Sequence, residues 1–142
     1  MSRFIFISGS LLCDSEQVSF IKEILPLTVA VASDYQLTHE EAVLYLEGWS
    51  FPEPRVNWGS FVFFGGSMKN NGVDYLLYQI CYCAEELKKS GLEEKGLEGC
   101  FYLMDEEVDR FLWEIREDKL CIYKINDVSG NSEFRLVQSI QL

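Results

Sequence analysis

Five cysteines and a single histidine are the side chains of this 142-residue chain best suited to chemistry. Cys81 and Cys83 form a C-x-C pair, and on a strand both thiols would point to one face. A structural zinc site needs four ligands, usually with a second short-spaced pair. Cys13, Cys100 and Cys121 stand alone, and His39 is distant in sequence, so the ligand set is incomplete. Buried cysteines acting as small hydrophobes are the simpler reading. A thiol nucleophile would need His39 as its base, yet Cys81, Cys83 and Cys121 lie in apolar runs where thiols are inert. His39 opens a helical pattern with no recognisable partner. Ser67 follows two glycines without forming G-x-S-x-G. The turns at SGS (8–10) and FFGGS (63–67) match neither phosphate-binding glycine motif. Twenty-three acids guarantee that some carboxylates lie close together, so a carboxylate pair is uninformative. No catalytic residue, metal site or cofactor is expected. An enzyme using carboxylate or cysteine chemistry is the weakest of the functional classes considered.

The charge is more informative. Twenty-three Asp and Glu oppose twelve Lys and Arg, for a net charge of −11. That sign disfavours nucleic acid, anionic membrane and phosphate-rich substrates as direct partners. Acids cluster at Glu40–Glu41, at 93–94, and above all at Asp105, Glu106, Glu107 and Asp109. Such a cluster is either a solvated turn or helix start, or a docking patch for a basic partner. The segment WSFPEPRVNW (49–58) adds aromatic anchors beside acids, a combination found in interface hot spots. Trp49 and Phe51 join Glu40, Glu41 and the 105–109 cluster as the candidate partner-binding residues. Trp58 is expected to fold back onto the core.

The elements that would position these residues form one domain, 1–142. The apolar share is 48% and the aromatic share 14%, enough to build a core and too much for a disordered acidic tail. The first residues lack the long apolar run of a secretory signal, no stretch reaches the ~20 apolar residues of a membrane span, and irregularly spaced cysteines suit a reducing compartment. A cytoplasmic protein is the expectation. Strands are expected at 3–8, 27–32, 61–66, 73–83, 100–104, 110–115, 120–125 and 133–142. The turn KNNG (69–72) would make a hairpin of the third and fourth. A helix from Ser15 to about Leu25 would bury Val18, Ile21, Ile24 and Leu25. A second, over 39–47, starts at a T-x-x-E capping box, Thr38 with Glu41, with a strand through AVLYLEGW as the competing reading. A short frayed helix follows Glu85. Residues 105–116 fit either a strand or a helix capped by Asp105. With 27–32 only a candidate and 105–116 open, the count gives six to seven strands and two to three helices, most strands in hairpin order. The fold class is therefore α+β, a mainly antiparallel sheet with helices packed on it.

With its length, its charge, the D-E-E-V-D run at 105–109 and the W-S-F-P-E-P loop, the chain resembles bacterial immunity proteins of contact-dependent inhibition and other polymorphic toxin systems. The resemblance lies in whole-chain character. It implies a non-enzymatic, cytoplasmic protein that neutralises one cognate basic toxin, a nuclease, by placing carboxylates where the toxin expects phosphates. The competing reading is a small acidic adaptor, such as a nucleic-acid mimic that regulates a host protein.

Overall fold

The computed structural model describes residues 3–52, 60–92 and 96–142. Its frame is a seven-stranded sheet in the order β2-β3-β1-β4-β5-β6-β7, antiparallel throughout. The strands are β1 (Phe4–Cys13), β2 (Trp49–Ser50), β3 (Ser60–Lys69), β4 (Glu98–Asp105), β5 (Arg110–Arg116), β6 (Lys119–Val128) and β7 (Asn131–Gln141). Three α-helices, α1 (Ser15–Ile24), α2 (His39–Leu46) and α3 (Asn70–Ser90), and a 3-10 helix (Leu25–Tyr35) complete the fold. This is the expected α+β architecture with helices packed on the sheet. Among the described residues no helix is long and apolar enough to cross a membrane.

Local sequence explains the helix starts. Asp14, just before the expected helix start at Ser15, takes the Gln17 amide on its carboxylate, and Gln17 answers with its side chain. The Thr38–Glu41 box forms as expected. Val18, Ile21, Ile24 and Leu25 are all buried. The choice at 105–116 falls to the strand: β5 and β6 make a hairpin across Glu117 and Asp118, both with positive φ.

Two expectations are overturned. Residues 73–83 are not a hairpin strand but the middle of α3. The buried positions Gly72, Tyr75, Leu76, Gln79, Ile80, Cys83, Ala84 and Leu87 step by three and one, which is a helical stripe. Asn70, Asn71 and Gly72 form its first turn. Asn71 donates its amide to the Tyr35 and Gln36 carbonyls, tying the helix start to the end of the 3-10 helix. A Cβ on Gly72 would stand 2.9 Å from the Tyr45 ring and 3.0 Å from the Met68 Cβ. Glycine serves close approach there, not a chain reversal. The second correction is 27–32, which lies in the 3-10 helix and not in a strand. Leu25 and Thr28 stack at a spacing of three, both buried, and the Thr28 hydroxyl donates to the Leu25 carbonyl at 2.6 Å.

The core sits between the helices and one sheet face. Ile7, Leu11, Val62, Phe64, Phe101, Trp113 and Ile115 meet Val18, Ile21, Ile80, Cys83 and Leu87. Coverage fades along the sheet: β6 keeps one buried residue, Leu120, and β7 has none. No described element covers the opposite face of the sheet.

Candidate interaction surface

Strand register decides what the uncovered face presents. On β1, Ile7, Leu11 and Cys13 point to the core, so Phe4, Phe6 and Leu12 point outward. On β3, Val62, Phe64 and Met68 point inward, and Phe61 and Phe63 outward. Phe61 and Phe63 stack with centroids 5.6 Å apart, opposite Leu12 and Ser10. Tyr102 on β4 stands opposite Ser8 and is also exposed. The face thus carries phenylalanines at both ends of the β1–β3 ladder, with Ser8, Ser10, Gly65 and Ser67 between them. Large exposed aromatics in such number mark a contact surface more than a solvated one.

The acidic cluster rims one end of this face. Asp105 organises the β4–β5 turn: its carboxylate accepts the amides of Glu107 and Asp109, each at 2.9 Å. Val108, at the tip, adopts φ 69° and is 68% exposed. Arg3 bonds Glu107 at 2.8 Å and lies 3.7 Å from Asp105. Glu106 accepts the amide of Phe4. Glu106 and Asp109 have no cation at ion-pair distance among the described residues.

Glu40 and Glu41 reach the same end from the other side. Phe4 pairs with Lys69 on β3, and Ile5 pairs with Asp105 on β4. Lys69 and Asp105 are therefore about two strand spacings, ~10 Å, apart. Lys69 pairs with Glu41 at 3.6 Å. The amide of Thr38 chiefly, with its hydroxyl and Lys69, holds the Glu41 carboxyl below its ordinary value. Glu41 is thus committed to the helix cap, while Glu40 is exposed. The fold gathers the two acidic clusters, 64 and more residues apart in sequence, at one end of the sheet, with Arg3 and Lys69 interleaved.

The aromatic loop is a correction. Trp49 is 5% exposed and cannot serve as an outward anchor. Its ring packs edge-on against Phe64 and Phe101, and its indole N–H donates to Gln79 at 3.2 Å. A buried acceptor on α3 and the pairing of β2 with β3 turn it inward. Phe51 is half-buried against the same core. Trp58 and the acids at 93–94 lie outside the described residues. The outward anchors Phe4, Phe6, Phe61 and Phe63 were missed. Their signal was present: FIFI (4–7) and FVFF (61–64) are apolar at both parities, so each strand must show phenylalanine to one side whichever side forms the core.

The groups that could do chemistry are scattered. Cys13 and Cys83 are buried; burial, with a smaller push from Asp14, raises the Cys13 thiol to about 12, and burial raises Cys83 strongly. Cys81 and Cys83 sit on a helix, so they do not share a face as they would on a strand. His39 is exposed at the start of α2. Among the described residues no three His, Cys, Asp or Glu side chains converge as a metal site. A shallow cleft between α2 and β3, lined by Leu44, Tyr45, Glu47 and Phe64 among others, holds neither cysteine nor histidine.

No protein-family model matches the chain, and no curated protein or solved structure matches it.

Proposed function

We propose that this chain is an immunity-type inhibitor: a cytoplasmic protein that binds and neutralises a cognate basic toxin domain, a nuclease. The observation that carries the reading is the junction of an acidic rim and an aromatic sheet face. Glu106 accepts the Phe4 amide and Asp109 shares its turn, at the end of the uncovered face that carries Phe4 and Phe6. Glu40 lies in the first turn of α2 beside Glu41, which pairs with Lys69 at that end of β3. Apolar anchors of this size set the dissociation rate, and rim carboxylates steer a cationic partner and set the association rate. Carboxylates there would occupy the positions of nucleic-acid phosphates in the toxin groove. Asp105 and Glu41 act indirectly, because they hold the turn and the helix cap that present the rim.

The test is co-expression with the toxin domain encoded beside this chain's gene. Protection of the cells and co-purification of a basic domain are expected. Glu106→Gln with Asp109→Asn and Glu40→Gln should slow association roughly tenfold at low salt, and much less at high salt. Phe6→Ser should instead raise the dissociation rate. No protection, or binding indifferent to all four changes, rejects the proposal.

A further inference from the structure

The far edge of the sheet invites a different partner. β7 is an eleven-residue edge strand with no buried residue, and among the described residues it pairs only with β6. Proteins usually blunt so long an edge. Here the blunting is partial. The turn at Ser129 and Gly130, both with positive φ, closes one end. At the other end the register slips between Ile122 and Tyr123, leaving Val137 as the extra residue of a bulge. Between them lies a regular edge whose centre is Phe134.

The two-residue turn fixes which backbone groups are free. Val128 and Asn131 close the hairpin as a hydrogen-bonded pair, so Asn131, Glu133 and Arg135 direct their backbone groups toward β6. Ser132, Phe134 and Leu136 therefore aim theirs outward. Charge adds a second constraint. Although the protein carries −11, β6 and β7 with their turn hold three cations and two acids. Arg135 stands across from Lys124, a like-charge pair, and no carboxylate answers either one among the described residues. Glu133 lies on the same side of β7 as Arg135.

We propose that β7 pairs antiparallel with β7 of a second copy, about a two-fold axis at Phe134, joining two sheets into one of fourteen strands. In this register Phe134 meets its symmetry mate through the outward backbone groups, and Ser132 meets Leu136. Glu133 then stands opposite Arg135 of the other copy, twice over, supplying the carboxylate that the Lys124–Arg135 pair lacks. A shift of the axis by one residue would oppose Glu133 to Glu133 or Arg135 to Arg135, which is unfavourable. The contact is self-complementary and uses the only free side of β7, so it closes at two copies. It is independent of the toxin-binding proposal, whose residues lie on β1, in the β4–β5 turn and on α2.

Sedimentation of the full chain over a concentration series tests it. The wild type should move from 16.4 kDa to twice that mass as concentration rises. Phe134→Pro removes an outward amide that β6 does not use, so it should abolish the dimer with the far-UV circular dichroism unchanged. Glu133→Arg alone and Arg135→Glu alone should each weaken association by roughly tenfold or more. Mixing those two single variants should restore a dimer, because each then supplies the charge the other lacks. A wild type that stays at 16.4 kDa throughout, a dimer indifferent to these changes, or growth beyond two copies overturns the proposal.

Discussion

Replacing Thr28 by valine exchanges a hydroxyl for a methyl of nearly the same shape in a fully enclosed site. Area bookkeeping alone would make that change mildly stabilising. The hydrogen bonds say otherwise. Thr28 is 1% exposed, and its oxygen uses all of its capacity. It donates to the Leu25 carbonyl at 2.6 Å and accepts from Gln79 Nε2 at 3.1 Å and from the Tyr75 hydroxyl at 3.2 Å. Gln79 in turn accepts the Trp49 indole, so the network joins the 3-10 helix, α3 and β2. Valine strands the Gln79 and Tyr75 donors where water does not reach. Each stranded group costs about 1–3 kcal/mol, and the methyl returns under about 1 kcal/mol. The expected net loss is about 3 kcal/mol, or roughly 10 °C in Tm for a domain of this size. Urea unfolding followed by circular dichroism and tryptophan fluorescence measures it, with the midpoint moving and the slope unchanged. Thr28→Ser keeps the oxygen and should cost only about 1 kcal/mol. A valine variant within about 0.5 kcal/mol of wild type would refute the claim that this network stabilises the fold.

Two further outcomes are expected. A Cβ at position 9 would lie 2.4 Å from the Cys100 carbonyl oxygen and 2.5 Å from the Phe101 ring, so Gly9→Ala should lower stability by about 3 kcal/mol in the same urea assay. The buried thiols make stability depend on alkaline pH: in the folded chain burial raises Cys13 to about 12 and Cys83 strongly, whereas in the unfolded chain both ionise near 9. Both states hold the protons below 9, and above it only the unfolded chain releases them. The urea midpoint should therefore hold steady up to about pH 9 and fall as pH rises toward 12, and Cys13→Ala with Cys83→Ala should flatten that fall.

The sheet was legible in the sequence where strands follow one another through short turns. The strands expected at 100–104, 120–125 and 133–142 form, with the break at EDK (117–119), and the choice left open at 105–116 falls to the strand. The capping box at Thr38 and Glu41 was equally legible, because two side chains at fixed spacing serve two amides and little else competes. What failed was the middle of the chain. VDYLLYQICYC is rich in β-formers, and its residue types outweighed its period; the helical stripe becomes clear only when Gln79 and Gly72 are counted as buried. Gln79 is buried because Trp49 and Thr28 satisfy it, and Gly72 because Tyr45 and Met68 crowd it. Those are tertiary facts that no local pattern carries. The same network turns Trp49 inward, so misreading α3 and misplacing the aromatic anchor were one error.

The acidity is not spread evenly. Residues 14–47 and 70–92, which form the helical layer, hold ten acids and three lysines, a net of −7. The remaining described residues, strands and turns, hold ten acids and seven cations, a net of −3. At physiological salt a charge is felt over about 8 Å. Acids on the outer side of the helices, such as Glu16 and Glu23, are separated from the uncovered sheet face by the helical layer and the sheet itself. Two layers at ~10 Å spacing exceed that range. They keep the helical side solvated and repel a second copy from it, but they do not steer a partner onto the aromatic face. In the proposed complex that task falls to Glu106, Asp109 and Glu40 at the rim. The division also favours the β6–β7 end for self-association, since β6, β7 and their turn carry three cations against two acids.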